Sequence, residues 1–405
     1  MLSHVEQLDR LREACPEAVP TAVVAGDPCF DRMLASVPLR ETYRDALGVT
    51  PGQRLVVVSS TWGDRSLYGR HPALPHRLAE QLPLDDYRVA VALHPNIWHA
   101  HSRWQVEGWL AHCARAGVLV LPPEEGWRAA LVAADLVLGD HGSVTFYGAA
   151  LGAPVLLAAF PDDAVDPASP VGQLVAAAPR LDPRGDLAEQ VALAIDGHDP
   201  GLYKEITELT TSVPGDSAAL LRTAIYAAVS LTEPAWPVES AAVPVPSVPT
   251  ETVGAQLVQV WLTDEAPGVL TATAVRLPAP LPNAATRVPP DAHLVADTVE
   301  PYRSWLELAE ILVHDKPGAA RHWVARTLAA LPGCALAARA EEGGDWLVGA
   351  RNGALVRFRD PTGPGRVYAS VLHAWLLAGR AVDALPPRVV VRLGQREFTS
   401  GVEVL

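Results

Sequence analysis

The residues best placed to do chemistry lie in one short stretch, 139–144, which reads Gly-Asp-His-Gly-Ser-Val. It follows an apolar run, 136–138, and leads into a helical pattern that Gly152 and Pro154 bring to a stop. Asp140 and Ser143 each offer an oxygen to the free amides of the new helix, so both are candidate caps. Gly142 lets the backbone approach whatever lies above the turn. First-turn amides point outward with partial positive charge, so the ligand such a turn suits is a phosphate or diphosphate. The competing reading is an ordinary capped strand-to-helix turn, which a doubly wound sheet repeats several times.

The elements that must hold this turn are visible as an alternation. Apolar runs at 21–25, 55–59, 89–93, 118–121, 136–138 and 155–159 are separated by helical patterns at about 31–47, 75–82, 105–114, 127–133 and 144–151. Short runs that are apolar on both faces, alternating with helices, predict a parallel sheet covered on both sides, an α/β fold of Rossmann-like type. Ligands on such sheets sit beyond the carboxyl ends of the strands. The residues that follow the successive runs include Asp27 and Asp31, Ser60 and Thr61, His94, Glu124 and Glu125, and the 139–143 turn. Polar, small and histidine residues thus gather on one rim.

Other signals on that rim are weighed singly. His94, His99 and His101 lie close in sequence, but zinc wants three or four ligands at fixed spacing, so plain loop histidines are the simpler reading and no metal is expected. Trp62, Trp98, Trp104 and Trp127 bracket the rim; core packing accounts for most, while one ring can stack on a base or sugar. Asp27 and Asp31 read as a cap and a turn former ahead of the first long helix. A serine hydrolase would need Gly-x-Ser-x-Gly and a P-loop enzyme Gly-x-x-x-x-Gly-Lys-Ser/Thr, and the chain has neither.

With 405 residues, 49% of them apolar, the chain can build two or three cored domains. Its net charge of −14 and scattered arginines argue against nucleic-acid binding. Four cysteines far apart fit reduced thiols in a cytoplasmic protein. The first residues lack signal-peptide order, and no run approaches the roughly 18 apolar residues that span a bilayer.

Residues 1–20 read as a short amphipathic helix and 21–232 as the sheet domain, closed by helices near 187–194 and 217–230. Prolines crowd 233–254, which predicts an extended, semi-stiff linker. Residues 255–405 read as a mostly antiparallel α+β domain. Its strand runs are 256–263, 269–276, 334–340, 345–351, 354–359, 388–393 and 396–405, and its helices 302–313, 319–331 and 367–377. Asn352-Gly353 between two runs signals a hairpin. No catalytic constellation stands out there, and His314, His322 and His373 read as helix-surface or core histidines.

With the rim loops in place, residues 21–200 resemble the carboxy-terminal Rossmann-like half of a GT-B glycosyltransferase. The nearest likenesses are the CDP-glycerol glycerophosphotransferases and the UDP-N-acetylglucosamine 2-epimerases. Three motifs carry the resemblance: Gly26-Asp-Pro-x-x-Asp31-Arg; Leu93-His-Pro95; and Ala134-Asp through Asp140-His-Gly-Ser143-Val-Thr-Phe to Gly152-x-Pro154. It implies a nucleotide-activated sugar or polyol phosphate as ligand and no further cofactor. The diphosphate would lie on the turn Asp140, His141, Gly142, Ser143 and Val144, with Ser60 and Thr61 adding hydroxyl contacts. His94 would face the phosphate as catalytic donor, and Glu125, or its neighbour Glu124, would hold the ribose.

The turn departs from both families. The glycerophosphotransferase pattern has Asp-Tyr-Ser-Ser there and an aspartate where this chain has Tyr147, and the paired glycines and glutamates of the epimerases are absent. The resemblance also implies a first Rossmann-like domain carrying the acceptor site and base, for which the short segment before Gly26 leaves no room. The expectation is therefore a transferase-type protein that is catalytically incomplete alone and completed by a second subunit or an amino-terminal domain. The alternatives are a non-catalytic nucleotide-sugar-binding or interaction protein and an epimerase relative.

Overall fold

Strand β1 (Arg54–Ser60) shows why the first half folds as it does. Leu55 and Val57 enter one hydrophobic cluster and Val56 and Val58 another, all four fully buried. A strand that is apolar on both sides needs cover on both, which parallel neighbours with crossover helices supply. The computed structural model describes residues 1–161, 163–249, 252–280, 288–361 and 363–405. In it β1 is the centre of a parallel sheet with β2 (Tyr87–Leu93), β3 (Leu119–Val120), β4 (Leu136–Gly139) and β5 (Val155–Leu157), in the order β3-β2-β1-β4-β5. This is a Rossmann-like order, with its switch point between β1 and β4.

The helices of this half are α1 (Gln7–Ala14), α2 (Pro28–Ser36), α3 (Arg40–Ala46), α4 (Leu67–Arg70), α5 (Leu74–Gln81), α6 (Pro95–His101) and α7 (Arg103–Arg115). They continue with α8 (Trp127–Ala133), α9 (Ser143–Ala150), α10 (Pro170–Ala177), α11 (Leu187–Asp196), α12 (Lys204–Thr207) and α13 (Ser217–Ala228). One face of the sheet is covered by α2, α3, α8, α9 and α10, the other by α4 to α7 and α11.

Two expectations fail here, both at prolines. The run 21–25 does not join the sheet: a 3-10 helix occupies Pro16–Thr21, and Val24 makes a single bridge to Leu2. Pro20, immediately before the run, fits the 3-10 turn that takes up Thr21 as its last residue. The long helix expected over 31–47 breaks into α2 and α3 at the 3-10 turn Val37–Leu39, because Pro38 cannot continue the hydrogen-bond ladder.

The second half contains a closed barrel of β6 (Ala255–Ala266), β7 (Val269–Pro278), β8 (His293–Asp297), β9 (Ile311–His314), β10 (Leu336–Ala340), β11 (Trp346–Ala350), β12 (Leu355–Arg359), β13 (Arg388–Leu393) and β14 (Arg396–Val404). Its order is β10-β11-β12-β14-β13-β7-β6-β8-β9. Helix α14 (Arg303–Leu308) and helix α15 (Ala320–Ala330) pack outside with Ala296, Leu312 and Ala337. Helix α16 (Gly365–Leu377) shares one cluster with the other face of the strands, so it fills the interior. The Asn352-Gly353 hairpin joins β11 to β12, with Gly353 at φ +91°. The run expected as one helix, 302–313, is instead α14 followed by strand β9. The consecutive apolar residues Ile311, Leu312 and Val313 are buried on both faces, a pattern that periodicity alone does not separate from a helix. Strand β8 was not anticipated.

The Pro-rich segment lies against the first half rather than free of it. Val243 is buried, its amide donates to Ser36 Oγ (2.8 Å), and Tyr43 Oη donates to its carbonyl (2.6 Å). Arg32 reaches the carbonyl of Ala241 (3.0 Å).

The barrel docks on the amino-terminal ends of the parallel strands. Just before β2, the Leu84 amide donates to the Arg276 carbonyl (2.9 Å), and buried Asp85 receives Arg276 through both oxygens (2.7 and 2.8 Å). Arg396 adds a contact to Asp85 at 3.4 Å. Just before β1, Gly52 packs so closely on Gln395 that a Cβ there would lie 2.8 Å from it. The Arg115 guanidinium sits 3.6 Å over the Tyr302 ring and 4.8 Å over Trp305. Among the described residues no helix is long and apolar enough to cross a membrane.

Candidate active site

At the opposite, carboxyl end of the sheet the strand-to-helix loops enclose a cavity of about 470 Å³. Its walls come from the ends of β1 (Ser59, Ser60, Thr61) and β2 (Leu93, His94), the loop after β3 (Pro122 to Glu124, then Trp127 and Arg128), the turn Gly142 to Val144, and Cys29. The cavity therefore sits beside the switch point, where a sheet of this order binds ligands.

The turn is organised from below by Asp140, which is 1% exposed. Its Oδ2 accepts from the Thr61 amide (2.9 Å), Thr61 Oγ1 (2.8 Å) and the Leu67 amide (2.9 Å), and its Oδ1 from the Gly142 amide (3.1 Å). Asp140 neither caps α9 nor lines the cavity; it ties β4 to the loop after β1. Ser143 does not cap either, because the helix begins with it. Gly142 is the N-cap, in extended conformation, and no side chain among the described residues bonds the first-turn amides. Side chains cap α2, α4, α6, α7, α10 and α11, whereas α9 shares its uncapped start with α1, α3, α5, α8, α12 and α13. So α9 presents uncapped amide ends, those of Ser143 and Val144, at the cavity wall. Gly142 is required by close approach: a Cβ there would lie 2.5 Å from Thr61 Cγ2.

His94 ends β2 and caps α6. Its Nδ1 accepts from the Asn96 amide (3.1 Å), so the neutral ring carries its proton on Nε2 and has that donor to offer the cavity. Burial pushes the imidazole below its ordinary 6.5, with Asp140 pulling the other way. A protonated ring has no acceptor for Asn96, and burial opposes the charge.

The remaining sequence-derived residues are placed as follows. Ser60 and Thr61 line the cavity, but Thr61 Oγ1 is engaged by Asp140. Ser60 Oγ donates to the Thr61 carbonyl and accepts from the Tyr68 amide (both 2.9 Å). Glu125 is turned to Arg128 (3.0 Å), and Glu124 lines the cavity in its place. His141 is half-buried beside the turn with an unpartnered Nδ1 and is not part of the wall.

The sequence reading placed Trp127 on the rim but missed the partners that build the far wall with it. Tyr147 stacks between Phe30 (6.0 Å) and Trp127 (6.4 Å) and donates its hydroxyl to Asp27 Oδ2 at 2.6 Å. Burial, with Asp27 adding to it, holds that phenol well above its usual range. Asp27 also caps α2 through the Cys29 and Phe30 amides, as expected of it. Arg128 lies 4.2 Å over Trp127 and donates from Nε to Cys29 Sγ (3.2 Å). No local signal joins Tyr147 to Asp27, which lie 120 residues apart. Asp31, read as a turn former, is buried and accepts from the amides of Gly215 (2.8 Å) and Ser217 (3.0 Å). No group of three or more His, Cys, Asp or Glu among the described residues is arranged to hold a metal.

No family model and no curated protein matches this chain. Among solved structures it is similar to the wall teichoic acid polymerase TagF, at 14% identity and TM-score 0.40, over 56% of each chain. It is also similar to a UDP-GlcNAc 2-epimerase from Neisseria meningitidis bound to UDP-GlcNAc, at 15% and 0.34, over 56% of this chain and 60% of that one. A third is Anabaena Alr3699/HepE in complex with UDP and glucose, at 18% and 0.29, over 47% and 52%. The chain spans little more than half the length of each. The Rossmann-like assignment rests on the strand order and parallel register themselves.

Proposed function

We propose that the first domain binds a nucleotide-activated sugar or polyol phosphate, with its diphosphate on the amides of Ser143 and Val144, and acts in transferase-type chemistry. The observation that carries this reading is the uncapped start of α9 at the wall of the 470 Å³ cavity. His94 Nε2–H is the second donor for phosphate oxygens, working as a neutral imidazole. Glu124 is positioned to accept from ribose hydroxyls, and the Trp127 and Tyr147 rings form the apolar wall for the nucleoside. Arg128 is paired with Glu125 and donates to Cys29 Sγ, so the helix terminus rather than a free cation supplies most of the anion attraction.

Group transfer needs an acceptor held roughly 3–3.5 Å from the reacting atom and shielded from water. The barrel is fixed at the other end of the sheet by Asp85 and Arg115, so it does not form that second wall. This arrangement favours a second reading, a nucleotide-sugar-binding protein that needs a partner, a second subunit or a further Rossmann-like domain, for turnover. Calorimetry with UDP, CDP and GDP and their sugar or glycerol conjugates tests the site. Binding tighter than millimolar, abolished by Gly142→Asp, is the expected result. Absence of binding by every nucleotide, or an unaffected Gly142→Asp variant, refutes it.

A further inference from the structure

We propose that an aromatic band leading from the cavity along α6 and α7 binds an uncharged glycan chain. The band begins at the cavity wall, where the exposed Trp62 ring lies 6.5 Å from that of His94. Two elements leave the rim together from there. The loop after β1 carries Trp62 and then Tyr68, whose amide is held by the cavity residue Ser60. Helix α6 starts at its cap His94 and ends at His101, about 10 Å further on at 1.5 Å per residue. Both arrive at Trp109, whose ring is 6.5 Å from Tyr68 and 4.9 Å from His101. Trp109 is 42% exposed and Trp62 59%, so ring faces remain open at both ends of the band.

The chemistry of the band selects its occupant. The C–H face of a sugar ring packs on an electron-rich aromatic face, and its hydroxyls need donors and acceptors at the ring edges. Here each exposed tryptophan lies against a histidine, Trp62 against His94 and Trp109 against His101, which puts polar ring nitrogens at the band. A protein-docking hot spot would show a contiguous apolar centre. A membrane surface would call for a basic cluster, but Arg103, the arginine at the start of α7, is paired with Glu107 at 2.9 Å and the chain carries a net charge of −14. A neutral, hydroxyl-rich chain meets no charge penalty on such a face. Its place beside the cavity would make it the companion ligand of the nucleotide site, a role that rests on the reading above; the binding itself does not.

Helix α7 supplies an internal control. Its core-facing residues are Val106, Leu110 and Cys113. Trp104 lies five residues, or about 140° around the helix, from Trp109 and is 84% exposed, so it points away from the band. The 405-residue protein is titrated with maltohexaose, cellohexaose and chitohexaose, and separately with UDP, CDP and vesicles of phosphatidylethanolamine and phosphatidylglycerol. At least one hexaose is expected to bind. Trp109→Ala and Trp62→Ala should each weaken it about tenfold, one ring stack's worth, with Trp109→Tyr restoring most of the loss. Trp104→Ala should leave it unchanged, and thermal melts check that the variants remain folded. Glycan binding without nucleotide binding would remove the function proposed above and leave this inference standing. The inference is overturned if no hexaose binds tighter than roughly 10 mM, if Trp104→Ala costs as much as Trp109→Ala, or if the substitutions affect vesicle binding alone.

Discussion

Replacing Asp140 tests the architecture on which the site depends. Asp140→Ala strands the Leu67 and Gly142 amides, both buried, and the half-buried amide and hydroxyl of Thr61. An unsatisfied buried donor costs about 1–3 kcal/mol, so two full penalties and two half penalties give about 3–9 kcal/mol. Removing a buried carboxylate recovers part of this, which favours the lower figure. For a domain of this size about 3 kcal/mol corresponds to a fall in Tm of roughly 6–12 °C. Asp140→Asn keeps one acceptor oxygen but turns an amide donor toward other donors and loses the charge assistance, so about 1.5–2 kcal/mol is expected. Chemical denaturation of both variants, followed by far-UV circular dichroism and tryptophan fluorescence, gives the two values. The order wild type, Asn, Ala in stability is required. Loss of less than about 1 kcal/mol in Asp140→Ala would show that the carboxylate does not hold these amides, and the position of the α9 terminus would lose its explanation.

Three further outcomes follow from the same geometry. His94→Asn keeps a good N-cap for α6 while removing the Nε2 donor, so UDP or CDP affinity should fall about tenfold by the same factor at pH 6.5 and pH 8. A loss that grows as pH falls would make the imidazolium the working form. Asp85→Ala leaves Arg276 without its partner at the domain junction and should cost about 3–5 kcal/mol in urea unfolding; an unchanged midpoint would mean the two halves are not coupled there. In the barrel, His293 and His373 are buried with ring centroids 4.6 Å apart, and burial, with His373 adding to it, depresses His293 to about 3. The unfolded chain takes up that proton near 6.5 and the folded barrel does not, so stability is full above 6.5. It falls by about 1.4 kcal/mol per pH unit below that, until the folded value is reached. His293→Phe should flatten this slope, and a barrel equally stable at pH 7 and pH 4.5 would contradict it.

Local periodicity and turn chemistry alone specify part of this architecture. The doubly apolar runs of β1, β2, β4 and β5 specified a parallel sheet, because residues buried on both faces admit few other neighbours. The helix start after Gly142 and the Asn352-Gly353 hairpin were legible for the same reason. Tertiary structure decided which polar groups face the ligand. Asp140 and Glu125 are chemically apt but spent on Thr61, Leu67 and Arg128, whereas Glu124, Trp127 and Tyr147 form the wall. Tertiary structure also turned 302–313 from one helix into a helix and a strand, because the value of Ile311 to Val313 as a strand comes from β8 and β10 on either side. The location of the barrel was beyond any local signal. It is set by Asp85, Arg115, Arg276 and Tyr302, residues up to 191 positions apart in their paired contacts. That meeting puts the barrel at the amino ends of the strands and leaves the cavity open at the carboxyl ends.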